Sequence, residues 1–266
     1  MRRLLMCAFL ISFLGFAMGG CVGLPCSDND DGNCMNDLTG KELVCNMAVP
    51  PPPPLQGDGS CQVLGDEGDY CGEDADCVEG LSCFGGACAS LKIVFVTGDE
   101  YGADPKPWLY TGDLGGLDGA DEKCQYWATQ ADLPGTYKAW LSISGTDAKD
   151  RLTSEGPFVT VDGIKVADDL ADILDCTNPD CLLNPIDRDA SGTQVQLAFP
   201  WTATDADGLL SDSTRTCGDW TNGTTGQSDG GVTGSIITSP IDYRWTIGAA
   251  GGISCNAKHP LYCFQQ

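Results

Sequence analysis

Apolar residues fall along this chain in three regimes. Residues 4–16 are an almost unbroken apolar run, residues 21–90 hold few apolar side chains, and from Leu91 onward apolar positions recur with a clear period. Residues 91–97 (LKIVFVT) read as a buried strand bounded by turn residues. Leu117, Ala120, Cys124, Trp127 and Ala131 are spaced 3, 4, 3 and 4 apart, which places them on one face of a helix over 115–131. Asp118 is placed to cap that helix, and Asp121 and Glu122 suit the positive end of its dipole. Leu133-Pro134-Gly135 stops it, because proline cannot continue a helix and glycine accepts unusual backbone angles.

Strand spacing follows. Tyr137, Ala139, Leu141 and Ile143 alternate with Lys138, Trp140, Ser142 and Ser144. Residues 158–161 and 164–166 flank Asp162-Gly163, a hairpin signal. Residues 168–174 suit a short helical turn, and Val195, Leu197 and Phe199 alternate as another strand. Residues 217–255 are rich in Gly, Ser and Thr and read as a long loop region too poor in apolar residues to be core, anchored by Tyr243 and Trp245. Residues 261–264 (LYCF) close the chain as a final strand. One helix, a first and a last strand, and long loops between them make an α+β plan.

Charge and cysteine content change the picture more than length does. With 14 Lys+Arg against 38 Asp+Glu the net charge is −24, which repels phosphate backbones and argues against nucleic acid as a partner. Sixteen cysteines far exceed ordinary cytosolic usage. Zinc sites would need paired C-x-x-C motifs or histidines, and His259 is the only histidine. Disulfides are the better reading.

The amino terminus agrees with an oxidising compartment. Arg2 and Arg3 form a basic n-region before the apolar run, which is short for a membrane span, and Gly19-Gly20 precede Cys21. This resembles a bacterial lipoprotein signal over 1–20, with Cys21 as the lipidated residue that anchors the chain to a membrane. Met18 departs from the leucine-like residue usual there, and an ordinary signal peptide cut nearby is the alternative. Val22 lacks the aspartate of inner-membrane retention, so the resemblance implies the outer membrane or cell surface; a secreted or periplasmic protein is the alternative.

With Cys7 in the signal and Cys21 lipidated, eight cysteines lie between Cys26 and Cys88 and six between Cys124 and Cys263. Both sets are even, so each region can close its own bridges. Residues 21–60 are an acidic Cys/Pro-rich linker; from 21 to 90 one base, Lys41, faces thirteen acids. Such a segment needs disulfides to fold. Residues 50–54 are an unbroken proline run, a stiff spacer of about 15 Å. Residues 61–90 carry Cys61, Cys71, Cys77, Cys83 and Cys88 with Gly80, Gly85 and Gly86, and look like small cysteine-rich modules of secreted proteins, Dickkopf-like ones included. Five is odd, so one must pair back to Cys26, Cys34 or Cys45. Residues 28–33 (DNDDGN) invite a calcium reading, but an EF-hand loop needs glycine at position 6 and glutamate at 12, which this segment lacks.

In order, VFVT, GGLDGADEKCQYWA, LPGTYKAWLS, PWTATDADG, CGDWT, YRW and LYCF resemble the bacterial endostatin-like domain of the C-type-lectin-like fold, over residues 91–266. The resemblance implies an α+β lectin-like head with long loops beyond a small disulfide-rich stalk. It also implies the bridges Cys124–Cys263 and Cys217–Cys255, leaving Cys176 and Cys181 for a local bridge. Six cysteines allow about fifteen pairings, so spacing alone does not choose. Sugar-binding lectins carry Glu-Pro-Asn or Gln-Pro-Asp and Trp-Asn-Asp motifs. Asn184-Pro185 and Asp219-Trp220-Thr221-Asn222 do not match them, so calcium-dependent sugar binding is not implied.

The function so implied is a surface-anchored, non-catalytic binding or adhesion module for an extracellular protein or glycan, with no cofactor and no metal. Two alternatives stand beside it. A structural envelope protein would need no ligand. An enzyme of the formylglycine-generating type would need a free thiol pair, and a serine-type site would need His259 beside a nucleophile motif that is not there.

Overall fold

In the computed structural model the described residues are 65–72, 74–78, 81–98, 106–175, 182–224, 231–236, 242–248 and 252–266, with the backbone of 25–26, 43–46 and 59–63. The chain divides into two units, Met1–Ser90 and Leu91–Gln266. Residues 1–20, the 28–33 and 50–54 segments, Cys21, Cys34, Cys176 and Cys181 lie outside the described residues.

In the first unit the strands β1 (Pro25–Cys26), β2 (Leu43–Asn46) and β3 (Gly59–Val63) form an antiparallel sheet in the order β1-β3-β2. Cys45 stands opposite Cys61 in its register. Farther on, β4 (Ser82–Phe84) and β5 (Ala87–Ala89) make a hairpin around Gly85-Gly86. Both turn residues have positive φ, 62° and 87°, which the tight right-twisted hairpin demands and glycine supplies at little cost. Cys83 and Cys88 face each other across that hairpin yet are bridged elsewhere, to Cys71 and Cys77. The buried centre here is Cys71, Cys77 and Cys88, with Leu81 and Cys83 against it. Carboxylates complete the turns: Asp74 accepts the Cys83 N–H and Asp76 the Gly72 N–H, each at 2.7 Å.

The second unit is built on five strands. They are β6 (Lys92–Val96), β7 (Tyr137–Ala139), β8 (Phe158–Thr160), β9 (Lys165–Ala167) and β10 (Tyr262–Gln265), in the order β7-β10-β6-β8-β9. The closing strand β10 pairs antiparallel with both β6 and β7, while β6 and β8 run parallel. Both faces of this sheet are covered. Val94, Val96, Phe158, Val166, Tyr262 and Phe264 pack with Trp140, Ile173, Ile186 and Trp245 on one side. Phe95, Ala139 and Cys263 pack on the other with Ala120, Cys124 and Ala128 of the helix α1 (Gly116–Gln130). Two-sided burial explains why β10 is buried at all four positions.

Local departures from sequence expectation have physical causes. The helix α1 is entered through Gly115 in the left-handed region, with no side-chain cap, so Asp118 lies in the first turn instead of capping it. The strand at Tyr137 ends at Ala139, not Ser144. After Trp140 N donates to Tyr262 O, the chain leaves the sheet and Ser142 N donates to Thr202 O. No strand forms at Val195, Leu197 and Phe199; Val195 and Ala198 are the buried pair, and Leu197 and Phe199 are only half-buried. The described residues of 217–255 hold only single helical turns, at Cys217–Trp220 and Tyr243–Trp245, but they are core: Cys217, Trp220, Val232, Ile236, Trp245 and Cys255 are all buried. Few apolar residues suffice there, because the two tryptophans bury large rings and the two cysteines are joined covalently.

The sheet's outer edge is closed by side chains. Tyr137 N donates to Gln125 Oε1 at 3.0 Å and Ala139 N to Asp121 Oδ1 at 2.9 Å, both from α1. Arg151 donates to Ala139 O and Leu141 O and holds Asp121 at 2.6 Å. The Tyr137 and Ala139 donors and the Ala139 acceptor, which would otherwise invite another strand, are thereby satisfied. At the opposite edge Asn184 Nδ2 donates to Lys165 O and Leu183 N to Val166 O.

Candidate functional site

An aromatic corner stands beside α1 in the second unit. Tyr110 and His259 exchange both backbone hydrogen bonds, at 2.8 and 2.9 Å, so their side chains share a face. Trp127 Nε1 donates to the Tyr110 hydroxyl at 2.7 Å, and Trp201 Nε1 donates to Tyr110 O at 2.8 Å. The His259 ring stands edge-on to Trp201, 4.5 Å between centroids. Lys123 Nζ lies 5.4 Å from the centre of the Tyr110 ring and donates to Leu114 O and Gly119 O. Tyr126 stands edge-on to Trp127 at 5.1 Å and is 55% exposed.

The chain builds this corner by helical spacing. Lys123, Tyr126 and Trp127 are three and four residues apart, so they meet on one side of α1. Trp127 turns towards the core and Tyr126 towards solvent. Burial raises the Tyr110 phenol above its usual pKa; the Trp127 N–H acts in the opposite sense, and the neighbouring Tyr126 adds to the rise. At neutral pH Tyr110 is therefore a neutral hydroxyl whose lone pair is engaged. Fixed rings with polar tips and one ammonium suit contact with a ligand that offers apolar C–H faces and hydroxyl or carbonyl groups.

The cysteines singled out in the sequence are placed as follows. Cys124 is bridged to Cys263, Cα to Cα 5.4 Å, joining the middle of α1 to β10, the strand between β7 and β6. Cys217 is bridged to Cys255 at 5.6 Å. No described cysteine is free. The odd count between Cys61 and Cys88 resolves in that Cys71, Cys77, Cys83 and Cys88 pair among themselves, which leaves Cys61 as the one whose strand faces Cys45.

Among the described residues, one group of potential metal ligands lies close together: Cys71, Cys77 and Cys88, within 4.8 Å. All three are in bridges, so none offers a thiolate. The positions compared with lectin motifs are engaged in structural bonds. Asn184 holds the β9 edge, and Asp219 Oδ1 accepts the Ser144 N–H at 3.0 Å.

Sequence reasoning passed over Tyr110, Lys123 and Tyr126. A signal was there: Tyr126 is a large aromatic between Cys124 and Trp127 yet off the apolar face, and an aromatic on the polar side of a helix invites a surface role. No family model matches the chain, and comparison with curated proteins finds no relative of it.

Proposed function

We propose that this chain is a surface-anchored lipoprotein, tethered through Cys21 to the outer membrane. Its endostatin-like, C-type-lectin-like head acts as a non-catalytic binding or adhesion module for an extracellular protein or glycan. The carrying observation is the corner formed by Tyr110, Lys123, Tyr126 and Trp127. It presents rigid aromatic area, as binding surfaces do, on a strongly acidic protein. Tyrosine and tryptophan lose little side-chain freedom on binding and so contribute strongly as contact anchors.

A screen of the mature chain against glycans and extracellular-matrix proteins tests this. Tyr126→Ala removes a half-exposed ring without opening the core. It is expected to weaken a captured ligand by about tenfold or more while leaving the melting temperature in place. Binding that is untouched by Tyr126→Ala and by Lys123→Ala would move the site elsewhere. Complete silence in the screen would favour the envelope protein without a ligand. Recovery of an unmodified amino-terminal peptide beginning away from Cys21 would remove the lipid anchor.

A further inference from the structure

The backbone at Cys217-Gly218-Asp219-Trp220 winds the wrong way. Their φ angles are 52°, 64°, 54° and 64°, four consecutive residues in the left-handed region, of which only one is glycine. Trp220 N donates to Thr216 O at 2.7 Å and Thr221 N to Cys217 O at 3.2 Å, the bond pattern of a helical turn. It is therefore one turn of left-handed helix. For L-residues this brings Cβ against the following carbonyl, so such residues occur singly and not in runs, and a bulky tryptophan there is an outlier. Conformations of this kind persist only where surrounding contacts over-determine them, and they gather at switches and clamps.

The contacts that hold this turn can be named. Trp220 is fully buried, and its indole N–H donates to Ser142 O at 2.9 Å. Asp219 Oδ1 accepts from Ser144 N, and Leu114 N donates to Trp220 O at 2.8 Å. At the start of the turn Cys217 is bonded covalently to Cys255, whose carbonyl accepts the Gly112 N–H at 2.7 Å. A Cβ on Gly112 would stand 2.6 Å from Cys217 Sγ, so this stretch of backbone lies directly on the bridge.

The head's other described bridge makes the contrast. Cys124 sits mid-helix and Cys263 mid-sheet, in unstrained backbone at both ends. All four sulfur-bearing residues are 0% exposed, so solvent access does not distinguish the pairs. Backbone strain does. A bond that holds its partners in an unfavourable conformation is more readily reduced, because the reduced state is relieved of that conformation.

We propose that Cys217–Cys255 is a redox-labile clamp on the left-handed turn. A dithiol reductant opens it ahead of Cys124–Cys263, and the turn then relaxes, altering the surface at Ser144, Gly218 and Thr221. In the step, one reductant thiolate attacks a bridge sulfur and forms a mixed disulfide while the other cysteine leaves as thiolate. The second reductant sulfur then closes its own disulfide and releases the remaining cysteine. Two electrons and two protons pass from the dithiol to Cys217 and Cys255. Because both sulfurs are buried, attack follows a local opening, which the irregular segments around this bridge permit more readily than α1 and β10 do.

The test uses the mature chain under native conditions, exposed to graded dithiothreitol, alkylated, and mapped by mass spectrometry, with amide exchange measured on the same samples. Cys217 and Cys255 are expected to label at about tenfold lower dithiothreitol than Cys124 and Cys263. Protection at Trp220 and Thr221 should then vanish while that of α1 persists. Simultaneous labelling of the two pairs, or earlier labelling of Cys124 and Cys263, overturns the proposal. So does early labelling of Cys217 and Cys255 with protection at 220–221 retained, since the turn would then be held without its clamp. Cys217→Ser/Cys255→Ser provides a second arm: loss of protection confined to the turn agrees, and unchanged protection there refutes.

Discussion

The residues around Cys71–Cys88 and the head from Leu91 onward solve the same problem by opposite means. Among the described residues of the small first unit the buried centre consists of cysteines, and the links that fill it are also the links that hold it. In the head, two clusters rich in tryptophan, phenylalanine and aliphatic side chains cover both faces of a sheet, and the bridges fasten structure that already has a core. The difference follows from chain length: a short segment cannot bury enough apolar area to offset its conformational entropy, and cross-links reduce that entropy in the unfolded state instead. Covalent and hydrophobic stabilisation should therefore fail under different insults.

The largest expected effect breaks the small unit alone. Its bridges close loops with separations of 12 and 11 residues, each worth about 3 kcal/mol in the chain-entropy picture. Replacing Cys71 and Cys77 with alanine removes both and opens the buried centre. Amide protection over residues 65–89 should disappear entirely, while near-ultraviolet dichroism from the head's tryptophans is unchanged. Loss of the head signal in this variant would show that the two units depend on one another.

Next comes the converse. Trp140 is fully buried and touches Trp245 and Phe264, with centroids 5.4 and 5.6 Å away, and its indole N–H donates to Thr246 Oγ1 at 2.8 Å. Trp140→Ala should destabilise the head by about 3–5 kcal/mol by urea melting. Protection in residues 65–89 should stay as it was. A cost below about 1 kcal/mol would mean that the face bearing Phe264 is not a packed core.

A smaller effect belongs to the covered edge. Arg151 is buried; without it, Ala139 O and Leu141 O lose a donor and Asp121 loses its cation, keeping only the Ala139 N–H. Arg151→Met should cost about 2 kcal/mol, below the range for a fully buried pair because Asp121 is partly solvated. It should also raise self-association, because the edge it covers is unprotected. Sedimentation at increasing concentration reads the second effect, and a monomer at all concentrations would deny that Arg151 guards the edge.

The hydrophobic pattern made some of this legible and not the rest. The helix with Cys124 inward, the β6 run and the closing strand all follow from period and bounding residues, because each is a regular element with a single apolar face or a short buried run. The fate of Leu141 and Ile143 did not, since the chain is drawn out of the sheet where Ser142 bonds to Thr202, a residue far along the sequence. Nor did the core role of the segment from Cys217, where tertiary contacts, not periodicity, bury Trp220 and Val232. The left-handed turn is invisible in the letters CGDW. The aromatic corner was half legible: Tyr126 is conspicuous on a polar helix face, but its link through Trp127 to Tyr110 requires the fold.

The smallest effect has the opposite sign. Tyr137 is 2% exposed, packs against Phe95 at 5.4 Å, and its hydroxyl has no hydrogen-bond partner among the described residues. An unpaired buried hydroxyl costs its desolvation and gains nothing, so Tyr137→Phe should stabilise the head by about 1 kcal/mol. Burial also raises the Tyr137 phenol above its usual pKa of 10.0, and Tyr262 and Tyr110 shift in the same direction. Well below pH 10 these phenols are protonated in both states. As pH climbs past that value the unfolded chain releases protons that the folded chain retains, so stability is lost as the medium becomes more alkaline. Tyr137→Phe deletes one share of that loss, and its advantage over the parent should widen between about pH 9 and about pH 11. An advantage that stays constant across that interval would show that the Tyr137 hydroxyl reaches water or a partner in the folded head.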